Sequence, residues 1–354
     1  MATLKQVAAE AGVSISTASA ALRGLDLVAT QTAQRVSQAA QKLGYHVNVS
    51  ARVLKQGKTG IFGLMVPDLE TEFYSMLANA LTTEMAEEGK SLIIESSRYD
   101  PDLEINHLQS LSSSICDGVF VCSVRNTAAQ IQEQVADRCP VVLFDDMTSL
   151  TDTHFDAIHT PNQEGMETLI SHLLERGYSH IALLGALPEK ERNDPHNLGV
   201  VLQSRRQTSA VESLTRHGLE PAAIIPANWS THDGLLAADT IADLLATRTN
   251  TIDAVCCMND ALALGLIRGL HTHGIAVPDD IAVGGFDGLN SGAIQIPSLT
   301  SIAIDFTGMA RTAITLMNNR VKERNLSKCP ILPQGVATGF NLRIGESTKP
   351  RAQK

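Results

Sequence analysis

The chain has 354 residues, 44% hydrophobic and 19% charged, with 28 Lys and Arg against 38 Asp and Glu for a formal charge of −10. That length and balance suit two or three globular domains and exclude a collagen-like or largely disordered chain. No apolar run reaches the roughly 18 residues a transmembrane helix needs, and the start, Met1-Ala2-Thr3-Leu4-Lys5-Gln6, lacks a secretory signal pattern.

The charge is unevenly spread. Residues 1–60 carry seven bases (Lys5, Arg23, Arg35, Lys42, Arg52, Lys55, Lys58) against two acids (Glu10, Asp26), a surplus of +5 that leaves −15 on the rest. An acidic total argues against a nucleic-acid partner, but phosphate contacts respond to local charge. The six cysteines (Cys116, Cys122, Cys139, Cys256, Cys257, Cys329) form no CxxC pair and suit neither zinc nor a disulfide framework. They read as reduced thiols of a cytosolic protein, so a cytoplasmic location is expected.

Leu4, Val7, Ala8 and Ala11 recur at helical spacing, and Gly12 closes that helix. Ser14 or Ser16 caps a second short helix with Ala18, Ala21 and Leu22 inside, ended by Gly24. A third runs from about Thr30 to Leu43 on a stripe of Val36, Ala39, Ala40 and Leu43, and Gly44 terminates it. Three short helices with a tight turn between the first two describe a helix-turn-helix. Residues 47–60 form a basic linker in which Ser50–Lys55 can make one short helix, marginal alone.

From Ile61 the rhythm becomes strand, helix, strand. Runs at Ile61–Val66, Ser91–Glu95, Gly118–Val121, Val141–Phe144, Ile181–Leu184, Ala254–Cys257 and Ala282–Gly285 alternate with amphipathic helices. This predicts parallel sheets covered on both faces, better as two doubly wound sheets than as one. Such folds bind ligands beyond the carboxyl ends of their strands. There the chain places Pro67-Asp68, Asp145-Asp146, Asn259-Asp260 and Asp287.

Leu4-Lys5-Gln6-Val7-Ala8, Ala11-Gly12-Val13-Ser14 and Ser16-Thr17-Ala18-Ser19 resemble the head of the LacI/GalR transcription regulators. Gly44-Tyr45 with Asn48, Gly63–Asp68, Asp117-Gly118-Val119, Pro140-Val141-Val142 and His172-Leu173 follow in family order. So do Asn259–Gly265, Val277-Pro278-Asp279-Asp280, Gly285-Phe286-Asp287 and Pro297-Ser298-Leu299-Thr300. The resemblance implies an all-α helix-turn-helix head plus an α/β core of two doubly wound parallel-sheet lobes, like periplasmic sugar-binding proteins. It implies a homodimer on an operator in double-stranded DNA, a small-molecule effector between the lobes, no cofactor, no metal, no membrane and no enzymatic activity. The expected division is a head at 1–46, a hinge at 47–60, a core at 61–345 and a tail at 346–354. Lobe 1 takes 61–160 and 292–323, and lobe 2 takes 161–291 and 324–345.

By the resemblance, Ile15, Ser16 and Ala20 sit where relatives read bases. Many relatives carry Arg at the position of Ala20, which here offers only a methyl group suited to thymine. Readout therefore leans on apolar contacts with Ser14, Ser16, Thr17 and Ser19 nearby. Ala29 stands where a Ser often caps the third helix. In the hinge, Ala51 and Leu54 match minor-groove positions, with Leu54 as a wedge between base steps, and Asn48 is a further DNA-binding candidate. Arg52, Lys55 and Lys58 serve phosphates, and Val47 replaces a frequent proline.

For the effector, Arg206 matches the basic residue lining the cleft, with Arg205 one residue away as the alternative. Asn259 and Asp287 match the hydroxyl-binding pair, and Asp145 lies at another strand end. Trp229 falls where sugar-responsive relatives stack an aromatic. Phe73 and Tyr74 close the rim. Ser209-Ala210 replace the family's Gly-aromatic pair, which puts the pocket's shape in question. His154-x-Asp156-x-x-His159 is rejected as a metal site because it lies in a loop before a strand. No GxGxxG follows a strand, and neither GxxxxGK[ST] nor GxSxG occurs. The rival readings are a sugar-binding module or sugar enzyme with an idle head, and a regulator whose ligand promotes DNA binding, as in purine-responsive relatives. The chain lacks a leucine-heptad tail after residue 340, so no tail-built tetramer is expected.

Overall fold

A computed structural model describes residues 2–22, 28–45, 58–113, 116–122, 126–135, 138–144, 155–187, 200–247, 252–323 and 332–351. The chain separates into two units, Met1–Thr59 and Gly60–Lys354.

In the first unit α1 is Leu4–Glu10, α2 is Ile15–Leu22 and α3 is Thr30–Lys42. Thr3 and Gln6 form a reciprocal capping box that starts α1. Ser14, rather than Ser16, caps α2 by accepting the Thr17 amide at 3.0 Å. Ala29 gives α3 no side-chain cap. Val7, Ala8, Ala11, Ala18, Val36, Ala39 and Ala40 are buried together, so small residues let three short helices approach closely. Gly12 and Gly44 take φ of 63° and 59° and end α1 and α3 as expected. Gly24 lies outside the described residues.

The second unit begins with β1 (Ile61–Val66), α4 (Glu72–Glu87), β2 (Ser91–Ser96), α5 (Pro101–Ser112), β3 (Val119–Val121) and α6 (Ala128–Val135). It continues through β4 (Val141–Phe144), β5 (Asp156–His159), α7 (Asn162–Glu175), β6 (Ile181–Ala186), α8 (Val200–Arg216), β7 (Ala223–Pro226) and α9 (Thr231–Ala246). Then come β8 (Ala254–Cys257), α10 (Asp260–Thr272), β9 (Ala282–Asp287), α11 (Asn290–Ile294), β10 (Thr300–Ile304), α12 (Phe306–Glu323), β11 (Gly335–Ala337) and β12 (Phe340–Arg343). Two six-stranded sheets result, ordered β11-β5-β4-β3-β1-β2 and β12-β10-β9-β8-β6-β7. Strands such as Val119–Val121 and Ala254–Cys257 are buried at every position, which explains their unbroken apolar runs.

The expected division needs correction at two lobe limits and at the tail. Strand β10, expected in lobe 1, pairs with β9 in the second sheet. Strand β11, expected in lobe 2, pairs with β5 in the first. The chain thus crosses between lobes after β5, after β10 and between β11 and β12. Residues 346–351 are no loose tail: Ser347 and Thr348 are buried, the Ser347 hydroxyl donates to the Val283 carbonyl at 2.6 Å, and Arg351 pairs with Asp253. The second sheet is also mixed, since β12 runs antiparallel to β10.

The segment around His159 is corrected too. Asp156–His159 is a buried strand, not a loop. Asp156 holds Arg320 of α12 through two bonds of 2.7 Å and accepts the Gln334 amide, so it ties α12 and β11 to the first sheet. Among the described residues no group of three or more His, Cys, Asp or Glu could hold a metal.

Candidate DNA-reading head and effector cleft

On the head, the cap and first turn of α2 carry the expected reading residues. Ser14, Ile15 and Ser16 are exposed, while Thr17, Ser19 and Ala20 are half-buried. The Ser14 hydroxyl also meets those of Ser16 (2.7 Å) and Thr17 (2.8 Å), so its first role is to start the helix. Ile15, the first residue of α2, is 49% exposed. An exposed β-branched side chain on the first turn suits an apolar contact more than a hydrogen bond. Asn48, Ala51, Arg52, Leu54 and Lys55 lie outside the described residues.

In the core, Arg206 on α8 is 2% exposed. Its Nε donates to Asn162 Oδ1 at 2.8 Å and its Nη1 to the Met258 carbonyl at 2.6 Å. Nη1 also stands 3.1 Å from Asp287 Oδ1. The guanidinium lies over the Phe286 ring at 3.9 Å and the Trp229 ring at 4.7 Å from their centroids. Arg205 is less buried, and its one-residue offset does not give it these contacts.

The neighbouring residues are fixed in turn. Trp229 Nε1 donates to the Gly185 carbonyl at the end of β6. Asn259 caps α10 by accepting the Leu262 amide, and its Nδ2 donates to the Trp229 carbonyl at 3.3 Å. Asp287 ends β9 with φ 114°, a conformation costly for a non-glycine residue. Arg206, Trp229, Asn259 and Asp287 thus converge at the carboxyl ends of β6, β8 and β9. The Phe73 ring packs edge-on against Tyr74 and Phe306, at the crossing after β10. Asp145 lies outside the described residues.

Sequence reasoning missed three participants and gave a fourth, Asp260, no role beyond its place at a strand end. Asn162, the first residue of α7, orients Arg206; its only signal is its place after Thr160-Pro161. Glu72, the first residue of α4, reaches from the first lobe to the second and accepts the Ser291 amide (3.2 Å) and hydroxyl (2.5 Å). Asp260 and Arg343 brace the turn after Asp287. Arg343 donates to the carbonyls of Gly288 and Leu289, and Asp260 accepts the Leu289 amide. Burial first, then the charge of Asp287, push the Asp260 carboxyl up to about 8.

A helix-turn-helix head with a separate two-lobed core, whose strand ends gather a buried Arg, an Asp, an Asn and an indole, is the architecture of a ligand-responsive DNA-binding regulator. Comparison with known proteins agrees. Residues 3–48 match the bacterial regulatory proteins of the lacI family, and residues 170–339 match the periplasmic binding protein-like domain. A repressor named PurR from Mannheimia succiniciproducens is 29% identical over 331 residues, 93% of this chain and 94% of its own. A ribose operon repressor from Halalkalibacterium halodurans is 25% identical over 330 residues, 92% of each. The lac repressor dimer bound to operator and an anti-inducer superposes with a TM-score of 0.77 at 22% identity, over 98% of this chain and 99% of that one. The chain joins a LacI-family DNA-binding head to a periplasmic-binding-protein-like ligand-binding domain, the make-up of a DNA-binding transcriptional repressor. Among the described residues no helix is long and apolar enough to cross a membrane.

Proposed function

We propose that this repressor works in the cytoplasm as a homodimer on a pseudo-palindromic operator and that a small sugar-like molecule in the lobe cleft releases it, controlling carbohydrate-utilisation genes. One observation carries the effector reading: the buried Arg206 is fixed by Asn162, Met258 and Asp287 beside the Trp229 indole. Fixed donors and acceptors grip hydroxyls, and an aromatic face takes the apolar side of a sugar ring. The +5 of residues 1–60 supports DNA binding by the head and hinge, with Ile15, Ser16 and Ala20 reading bases and Leu54 wedging the minor groove.

The mechanism is a coupling between two binding events. The effector has to favour one lobe arrangement over the other, and operator binding has to favour the opposite one. Each then weakens the other by the same factor. A thermal-shift screen of sugars and sugar phosphates, followed by gel-shift assays with genomic fragments, tests this. A bound effector raises the melting temperature by mass action and releases the fragment. No sequence-selective shift at low salt sinks the DNA reading. A ligand that tightens the DNA complex replaces induction with co-repression.

A further inference from the structure

The carboxyl of Asp260 is fully buried, and its ion pair with Arg343 is a long one. Arg343 Nη2 stands 3.9 Å away and gives its hydrogen bonds to the Gly288 and Leu289 carbonyls instead. Asp260 Oδ2 accepts the Leu289 amide at 2.7 Å. Oδ1 meets the Ser301 hydroxyl at 2.6 Å, and Ser301 Oγ also accepts the Gly288 amide at 3.1 Å. Both amides belong to the turn that follows Asp287. The fit is tight, since a Cβ on Gly285 would lie 2.2 Å from Asp260 Oδ1.

The groups facing Asp260 come from every packed element. Asp287 ends β9, Arg343 is on β12, Cys257 ends β8 and Ser301 is on β10. Helix α9 meets α10 at close backbone contacts, Gly234 against Leu262 and Gly265 against Thr231 and Leu235. Burial pushes the Cys257 thiol well up, so it stays neutral while Asp260 titrates.

We propose that Asp260 is a positioning residue of the cleft: through Ser301 and the Leu289 amide it sets the turn that holds Asp287 against Arg206, and that setting follows the proton on Asp260. With the proton on Oδ1, the carboxyl donates to Ser301 Oγ, and the hydroxyl hydrogen turns toward the Ile302 carbonyl, 3.5 Å away. Without it, Ser301 donates to Oδ1 and the turn carries a buried negative charge beside that of Asp287. The site's role as an effector cleft is assumed here from the proposed function.

Trp229 is the only tryptophan and lies under the Arg206 guanidinium, so its fluorescence reports the Arg206–Asp287 pair in the ligand-free, full-length protein. Titrated from about pH 6 to about pH 10, the wild type is expected to show a transition with its midpoint at about 8. Asp260→Asn abolishes it. Ser301→Ala, a mild change that keeps the fold testable if Asp260→Asn does not, moves the midpoint up, because the hydroxyl's hydrogen bond favours the charged form. A flat wild-type curve, or an unchanged transition in both variants, overturns the proposal. A flat curve alongside a sugar-induced thermal shift sinks the positioning role and leaves the effector cleft standing. A transition that the variants alter, with no ligand-induced shift, upholds Asp260 and sinks the effector reading.

Discussion

Replacing Asp287 with Asn isolates the charge at the centre of the cleft. The side chain keeps its shape and an acceptor oxygen, and its backbone at φ 114° suits Asn no worse than Asp. Arg206 cannot lose its proton, and at 2% exposure it cannot reach water. Across 3.1 Å the lost attraction amounts to about 5 kcal/mol at an effective dielectric constant of about 20. The carboxylate's own burial cost disappears with it, and Asn162, Met258 and the two rings still hold the guanidinium. A net loss of about 2–3 kcal/mol remains, somewhat below the usual cost of breaking a buried pair. For a core the size of Gly60–Lys354, about 2.1 cal/mol/K per residue turns that into a fall of about 4 °C in melting temperature. Calorimetry on the full chain reads it. Removing both charges, Asp287→Asn with Arg206→Met, is expected to recover more than half of the loss, because no buried ion is left unpaired. A single variant that melts within about 1 °C of wild type, or a double variant whose loss is the sum of the two singles, refutes the reasoning.

Other tests address different links. Ala29→Ser supplies the missing cap of α3 and is expected to stabilise the head by about 1 kcal/mol, read by hydrogen exchange of the α3 amides. Gly265→Ala places a Cβ 2.0 Å from the Thr231 carbonyl oxygen, where only backbone can yield. It is expected to cost about 3 kcal/mol, and a melting temperature equal to wild type would contradict the close α9–α10 contact. The raised Asp260 predicts stability that is full below about pH 4 and lost as pH rises through about 8, because the unfolded chain gives up the proton first. The melting temperature of wild type should fall relative to Asp260→Asn over that window. Lys55→Ala should lower the salt slope of operator affinity by about one, if Lys55 meets a phosphate.

The head was legible because its signals are local. Apolar spacing gave three helices, and Gly12 and Gly44 marked their ends with positive φ. The strands that were missed share a cause. Asp156–His159 is four residues long with a charged and an ionisable end, and its burial comes from Arg320, 164 residues away. Thr300–Ile304 and Gly335–Ala337 were assigned to the wrong lobes because local sequence does not name a strand's pairing partner. The cleft divides the same way. Asn259 and Asp287 stand at strand ends that the rhythm locates, whereas Arg206 on α8 and Trp229 before α9 are legible only through the family resemblance. Asp260 at the start of α10 reads as an ordinary acid favoured by the helix dipole, and only Gly285, Leu289 and Ser301 closing over it make it a buried group.

The two inter-lobe features together suggest how occupancy of the cleft reaches the lobe angle. Ser291 lies four residues beyond Asp287, after the turn that Asp260 and Arg343 brace, and Glu72 of the other lobe holds it by amide and hydroxyl. Ser301 and Arg343 belong to β10 and β12, the strands that flank two of the three crossings between lobes. A ligand that draws on Asp287 therefore acts on a short, rigid turn whose other contacts are with the crossings and the opposite lobe. Glu72 offers the separation of these routes. Glu72→Gln keeps an acceptor for the Ser291 hydroxyl but loses the charge, so it weakens the cross-lobe contact without touching Arg206. If the lobes are coupled through that contact, the variant binds the same ligand but shows a smaller effect of that ligand on operator affinity. An unchanged coupling assigns the task to the crossing strands alone.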